Sequence, residues 1–226
     1  MEAIVLAGGF GTRLQSVVNY VPKPMAPIGD IPFLEYILKY LQKNNINRVI
    51  LSVGYKWEII KEYFGNKFEN IELIYSIEYE PLGTGGAIKK AIQLVQNNKI
   101  YIINGDTFFN VDLSSLKLEN NNKLQLSLKK MYDFDRYGCV EIKDDLVVKF
   151  TEKKYQQEGN INGGIYLISK EIFTSFNLEN KFSFEEFMEE NVNKLKITAE
   201  IFKDYFIDIG IPEDYEKAKN EIKDFI

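Results

Sequence analysis

The chain contains no histidine, and that one absence removes several chemistries at once. Catalysis of the Ser-His-Asp or Cys-His kind is excluded, and so are zinc sites ligated by histidine. Cysteine is almost as scarce. Cys139 stands alone, which rules out an intrachain disulfide and a cysteine metal cluster. Any metal must therefore be held by carboxylates, which favours a hard ion such as Mg²⁺. Arginine occurs only at positions 13, 48 and 136. With 33 acidic against 28 basic side chains, a net charge of −5 and a pI near 5.1, the surface is a poor match to nucleic acid. No apolar run approaches the ~20 residues that span a bilayer. The N-terminus has no basic region and no cleavage site, because strand-like residues begin almost at once. These absences predict a cytoplasmic protein with neither membrane nor nucleic-acid partners.

What is present is ordinary globular composition, 45% apolar and 27% charged over 226 residues, enough for a sizeable core. In the first half strand and helix alternate. Ile4 to Ala7 is a short apolar strand, and Pro32 to Leu41 has helical spacing behind a helix-starting proline. A strand at Asn47 to Val53 precedes a helix at Trp57 to Phe64, stopped by Gly65. A strand at Ile71 to Ile77, a helix at Thr84 to Val95 and a strand at Lys99 to Asn104 follow. Such alternation predicts right-handed crossovers and a mostly parallel sheet covered on both faces, with ligands beyond the carboxyl ends of its strands.

The second half is less regular. Asn120 to Asn122 marks a turn before a strand at Leu124 to Leu128, and Asp144-Asp145 turns a hairpin between Val140–Ile142 and Val147–Phe150. A strand at Ile165 to Ile168 is followed by a helix at Phe184 to Val192, capped by Ser183. Strands at Ile197 to Phe202 and Tyr205 to Ile207 lead to a terminal helix from Pro212. No linker, repeat or low-complexity tract interrupts this order, so residues 1–226 are expected to form one domain.

Three places carry candidate chemistry. The first is the loop after the opening strand, Leu6-Ala7-Gly8-Gly9-Phe10-Gly11-Thr12-Arg13-Leu14, with Pro22-Lys23-Pro24 beyond it. Glycines let the backbone turn its N–H groups onto an anion, Arg13 adds a planar charged fork, and Lys23 is a cation on a stiffened segment. For the glycines alone a plain surface turn is an equal reading; the two cations favour a nucleoside triphosphate site. Neither G-x-G-x-x-G nor the P-loop pattern fits, since Leu14 falls where the last glycine of the former belongs. The second place is the pair Asp106 and Asp208, each just past an apolar strand and able to serve as a cap or as a metal ligand. The third is Glu78-Tyr79-Glu80-Pro81-Leu82-Gly83-Thr84-Gly85-Gly86, read either as an exposed turn capping a helix or as a wall for a nucleobase.

The segment Leu6 to Leu14 with Pro22-Lys23-Pro24-Met25 resembles the signature L-A-G-G-x-G-T-R-L…P-K-P-M of the sugar-1-phosphate nucleotidyltransferases. That resemblance spans essentially the whole chain and implies a Rossmann-like α/β fold, with a mixed, mostly parallel sheet and helices on both faces. It makes Leu6, Ala7, Gly8, Gly9, Gly11, Thr12, Arg13 and Lys23 nucleotide-binding, and Asp106 and Asp208 the Mg²⁺ ligands. Arg13, Lys23 and Asp106 would be catalytic. Glu80-Pro81-Leu82-Gly83-Thr84-Gly85-Gly86-Ala87 is most similar to the guanylyl-transferring members, which adds Glu78, Glu80, Gly83, Thr84 and Gly85 to the nucleotide site. Glu78 and Glu80 could accept hydrogen bonds from the N1–H and 2-amino group of guanine. On the sugar-phosphate side the resemblance implies Gly138, Glu152, Lys153, Asn162 and Gly163. There the usual F-x-E-K-P pattern has Lys154 in place of its proline.

The implied reaction joins a sugar 1-phosphate to a nucleoside monophosphate taken from GTP, with Mg²⁺ as cofactor. It needs no general base, because a sugar phosphate is already largely dianionic at neutral pH, its second pKa being about 6. A chain without histidine is thus not handicapped. Alternatives are a mannose-1-phosphate guanylyltransferase or uridylyltransferase of similar size and, from another class, a non-catalytic sugar-nucleotide-binding regulatory subunit. Retention of Arg13, Lys23, Asp106 and Asp208 favours an active enzyme. A glycosyltransferase is disfavoured because Gly105-Asp106-Thr107 is not D-x-D. Nothing after the terminal helix is expected to form the hexapeptide β-helix of bifunctional relatives, and a homodimer is left open.

Overall fold

The structure is a computed structural model and describes residues 1–9, 14, 18, 20–119 and 122–226. Chain order begins with β1 (Glu2–Ala7), a 3₁₀ turn at Lys23–Met25, and the short strands β2 (Pro27–Ile28) and β3 (Ile31–Pro32). Next come α1 (Phe33–Lys43), β4 (Arg48–Val53), α2 (Trp57–Phe64), β5 (Lys67–Phe68), β6 (Ile71–Ile77), α3 (Gly83–Ala91) and β7 (Lys99–Asn104). The second half contributes β8 (Thr107–Phe109), β9 (Leu124–Phe134), β10 (Val140–Lys143), β11 (Leu146–Phe150) and β12 (Gln156–Ser169). It ends with α4 (Phe184–Glu190), α5 (Val192–Leu195), β13 (Thr198–Phe202), β14 (Phe206–Asp208) and α6 (Pro212–Glu221).

Both halves share a 10-stranded sheet, ordered β10-β11-β13-β9-β12-β7-β1-β4-β6-β5. β7, β1, β4 and β6 form a parallel run, while β12 enters antiparallel between β7 and β9. β5, β11 and β12 run against the remaining strands. The expected mixed, mostly parallel sheet is therefore present.

β1 shows why a continuous apolar run becomes a central strand. Ala3, Val5 and Ala7 enter one apolar layer with Phe33, Leu34 and Leu38 of α1, Ile60 of α2 and Tyr215 of α6. Ile4 enters the opposite layer with Ile88 of α3 and Phe184 and Met188 of α4. Each such aliphatic or aromatic side chain contributes about 1.5–3 kcal/mol by leaving water. Two buried faces explain why no polar alternation is visible in the strand.

The helices at Phe33–Lys43 and Trp57–Phe64 and the strands at Ile71–Ile77 and Lys99–Asn104 fall where periodicity puts them. Asp144 and Asp145 both have positive φ, 49° and 63°, as a tight hairpin turn requires. Ser183 caps α4 by accepting a hydrogen bond from the Glu186 amide at 3.2 Å. The helix expected over Thr84 to Val95 is α-helical only at Gly83–Ala91 and ends in a 3₁₀ turn at Ile92–Leu94, and other boundaries differ too. β9 continues to Phe134 and β12 begins at Gln156, because their outer halves form a two-stranded ribbon whose polar side chains carry no burial pattern. The helix expected to reach Val192 stops at Glu190, where the Asn191 side chain donates to the Phe187 carbonyl at 2.9 Å. Finally, β8 was not foreseen. It pairs antiparallel with β14, setting Asp208 opposite Thr107, and the Ile209 amide donates to the Asp106 carbonyl at 3.0 Å. Two aspartates far apart in sequence thereby become neighbours.

Candidate active site

The carboxyl ends of β1, β6 and β7 open into a cleft of about 310 Å³. Leu6, Ala7, Gly8 and Gly9 form one wall, Glu78, Gly83 and Thr84 another, and Lys23 with Asp106 the floor. The packing beneath is close. The Gly105 amide donates to the Leu6 carbonyl at 2.9 Å, and a β-carbon on Gly105 would lie 2.5 Å from that same oxygen. Only glycine lets β7 pass this near β1 and deliver Asp106 to the cleft.

Lys23 sits in the 3₁₀ turn between Pro22 and Pro24, its side chain only 9% exposed. Its ammonium lies 2.5 Å from Asp106 Oδ2 and 3.9 Å from Asp208 Oδ1. The carboxylates are more open, 40% and 24% exposed. A buried cation thus draws two accessible carboxylates around one point. Asp208 Oδ1 also accepts from the Gly210 amide at 2.7 Å, and the Tyr137 hydroxyl donates to Asp208 Oδ2 at 3.4 Å. Burial, reinforced by the Asp208 charge, pushes the Tyr137 hydroxyl well above its ordinary range, so it remains a donor. Arg136 pairs with Asp214 at 2.5 Å and lies 5.5 Å from the Tyr137 ring centre.

Two oxygen ligands sharing a cation-centred space suit a hard divalent ion whose other ligands come from substrate phosphates and water. Among the described residues no group of three or more His, Cys, Asp or Glu side chains could enclose a metal. The chain's own offer is therefore the pair.

Glu78 is half-buried. Burial pushes its carboxyl above the usual range, against hydrogen bonds from the Leu82 amide at 3.2 Å and the Ser52 hydroxyl at 3.1 Å. Glu80, expected beside it, is exposed and does not line the cleft, because the chain turns outward before Pro81. Gly85 is likewise no part of the wall. It is buried under Phe182, whose ring carbons would lie 2.2 Å from an added β-carbon. The Phe182 carbonyl accepts from the Gly85 amide at 3.0 Å and the Gly86 amide at 3.3 Å, so the start of α3 is spent on the protein itself.

A second cavity of about 480 Å³ is lined by Gly138, Glu152, Lys153 and Asn162, together with Tyr137, Glu185 and Glu189. Asn162 is aimed there by an irregularity in the β9–β12 ladder. It donates to the Tyr166 hydroxyl at 2.8 Å and accepts from the Gly164 amide at 3.0 Å. Gly163 does not line this cavity; a β-carbon there would come 2.5 Å from the Phe109 ring, so the residue serves packing. Gly11, Thr12 and Arg13 lie outside the described residues. Ser52, Glu185 and Glu189 carry no motif that would single them out in the sequence, and Tyr137 stands in the segment of Gly138 without a role of its own there. The spacing of four between Glu185 and Glu189 puts them on one helix face, but which face lines a cavity depends on packing.

A family profile described as nucleotidyl transferase matches residues 2–224. The chain belongs to this family. It is 60% identical over 216 residues to D-glycero-alpha-D-manno-heptose 1-phosphate guanylyltransferase from Campylobacter jejuni, covering 95% of this chain and 97% of that protein. To the protein of the same name from Aneurinibacillus thermoaerophilus it is 52% identical over 230 residues, covering 100% of both. The crystal structure of HddC from Yersinia pseudotuberculosis complexed with GMP-PN superposes with a TM-score of 0.84 at 41% identity, over 97% of this chain and 98% of that one. Members of this nucleotidyltransferase family generally use a divalent metal. Among the described residues no helix is long and apolar enough to cross a membrane.

Proposed function

We propose that this nucleotidyltransferase moves GMP from GTP to D-glycero-alpha-D-manno-heptose 1-phosphate, giving GDP-heptose and pyrophosphate. The observation that carries the reading is the near full-length 60% identity to an enzyme of that name. The geometry supports it. Lys23 and Asp106 line one cavity and Tyr137 the other, and Asp208 links them by accepting from Tyr137 and lying 3.9 Å from Lys23, an arrangement suited to a reaction between two phosphorylated substrates.

In this reading the α-phosphate lies beside Lys23 and the loop at Gly8-Gly9, with Arg13 of the same loop completing the anion site. The sugar phosphate lies beside Lys153, and Glu152 and Asn162 receive sugar hydroxyls. A phosphate oxygen of the sugar attacks the α-phosphorus, the α–β anhydride bond breaks, and its electrons leave with pyrophosphate. Charge must be neutralised on two approaching anions, and positioned cations do that without proton transfer. Asp106 and Asp208 would hold Mg²⁺, which when bound supplies further neutralisation of the triphosphate. For the base, Glu78 is the carboxylate in the wall, and it keeps lone pairs for the paired donors of guanine beyond those taken by Ser52 and Leu82.

The test is pyrophosphate release with GTP, UTP, CTP and dTTP against a panel of sugar 1-phosphates. GTP with the heptose 1-phosphate should turn over fastest. Equal or better turnover with UTP or with mannose 1-phosphate would reassign the enzyme within its family.

A further inference from the structure

Glu185 belongs to no part of the reaction just described, yet it lines one substrate cavity and its carboxylate is bonded to a residue that lines the other. Its Oε2 accepts a hydrogen bond from the Thr84 hydroxyl at 2.6 Å and another from the Ser183 hydroxyl at 3.0 Å. Thr84 lines the nucleotide-side cleft; Glu185 lines the other cavity. The Thr84 oxygen is in turn an acceptor for the Phe184 amide at 2.8 Å. With its proton committed to Glu185 and a lone pair to Phe184, the Thr84 side chain has one orientation, and α4 dictates it. Just upstream, the chain at Phe182 is laced to the start of α3, behind that wall, by the bonds to Gly85 and Gly86 and by its amide donating to the Leu82 carbonyl at 3.0 Å. Glu185 Oε1 takes no protein hydrogen bond among the described residues.

We infer that Glu185 is a positioning residue that couples the two substrates. Its Oε1 accepts a hydroxyl of the bound sugar, while its Oε2 sets the Thr84 wall against the nucleotide. A carboxylate can serve both, since its two oxygens offer about four acceptor positions. Filling the sugar cavity then fixes the Glu185 rotamer, and the Thr84–Glu185 bond passes that order to the nucleotide side. Coupling of this kind is reciprocal: each substrate must tighten the other by the same factor. Glu189, one turn further along α4, faces the same cavity but makes no bond to the wall among the described residues, so it serves as the internal control.

The inference rests on the proposed reaction, and the experiment separates the two. Steady-state kinetics would be measured with both substrates varied for the wild type, Thr84→Val, Glu185→Ala, Glu185→Gln, the control Glu189→Ala and the double variant Thr84→Val/Glu185→Ala. Thermal melts would confirm folding. Wild-type protein inactive with every nucleotide and sugar phosphate would sink the reaction itself. Given an active wild type, Thr84→Val should raise the KM for the sugar 1-phosphate by about fivefold although Thr84 lies in the nucleotide cleft. The same substitution should have no effect on that KM when Glu185 is already Ala, the non-additivity expected of a contacting pair. Glu185→Gln keeps an amide oxygen for Thr84 and should restore most of the coupling. The inference is overturned if Thr84→Val shifts only the KM for GTP, or if the two substitutions act additively. It fails equally if Glu189→Ala abolishes the coupling as fully as Glu185→Ala. Should either single variant melt far below the wild type, isothermal titration of GDP in the presence and absence of the sugar 1-phosphate would read the same coupling on Glu185→Gln, which preserves the packing.

Discussion

Lys23 is held on a turn between two prolines, buried against two carboxylates, at the floor of a cleft. Lys23→Ala should lower kcat by about 10²–10³-fold, the usual effect of deleting one preorganised donor to developing charge. A melt and a single-turnover assay would check this, and near wild-type rates would refute the role. Asp106→Asn and Asp208→Asn should each abolish activity at any Mg²⁺ concentration, whereas the wild type should lose it on chelation and recover on adding the ion back. Persistence of turnover in excess chelator would dismiss the two-aspartate metal site. At this scale the sequence was informative where chemistry and loop signals coincide. Lys23 between prolines, Asp106 after an apolar strand and Lys153 beside Glu152 all lie at cavity walls. Glu80, Gly85 and Gly163 lie away from those walls, because a motif records that a residue is near the ligand segment but not which way the chain turns. Glycine serves close packing as readily as ligand approach, and only the positions of Phe182 and Phe109 decide between them.

Helix α3 illustrates the element scale. Its first turn would normally offer amides to an anion, but the Phe182 carbonyl already occupies two of them, and the Phe182 ring lies over Gly85. Gly85→Ala should therefore destabilise by about 1–3 kcal/mol through overpacking, rather than weaken GTP binding directly. Urea unfolding of the variant, with and without Phe182→Leu, checks this; the second substitution should recover much of the loss. An unchanged midpoint together with a raised KM for GTP would return Gly85 to the nucleotide site. The alternation of apolar runs located α1, α2, β6 and β7 well because each buries a face against the sheet. The outer halves of β9 and β12 were illegible for the opposite reason. Their pairing is a backbone ladder between polar residues such as Lys130, Glu158 and Asn160, and backbone hydrogen bonds leave no mark on the hydrophobic pattern.

For the molecule as a whole, one buried charge ties the far end of the sheet together. Glu2 on β1 accepts from the Asn97 amide at 2.6 Å and the Gln96 amide at 3.0 Å, and pairs with Arg48 of β4. Burial alone would raise its carboxyl; the bonds from Asn97, Arg48 and Gln96 outweigh this and hold it below the ordinary value of 4.5. A depressed carboxyl contributes stability that is present above that ordinary value and lost as pH falls through the lower folded one. Glu2→Gln should thus cost on the order of 1–3 kcal/mol at neutral pH and show a flatter acid limb than the wild type. Denaturant titrations at neutral pH and below about pH 4 compare the two; parallel curves would dismiss the role of Glu2 in acid unfolding.

The pairing of β8 with β14 also carries a consequence for the life of the chain. Synthesis proceeds from the N-terminus, so the glycine loop, Lys23 and Asp106 emerge early, while Asp208 arrives only with β14. A chain ending before Phe206 contains every strand of the parallel run, yet it holds only one of the two carboxylates. With Asp106 and Asp208 as the proposed metal pair, such a fragment should release no pyrophosphate from GTP, and catalytic competence would be acquired late in synthesis.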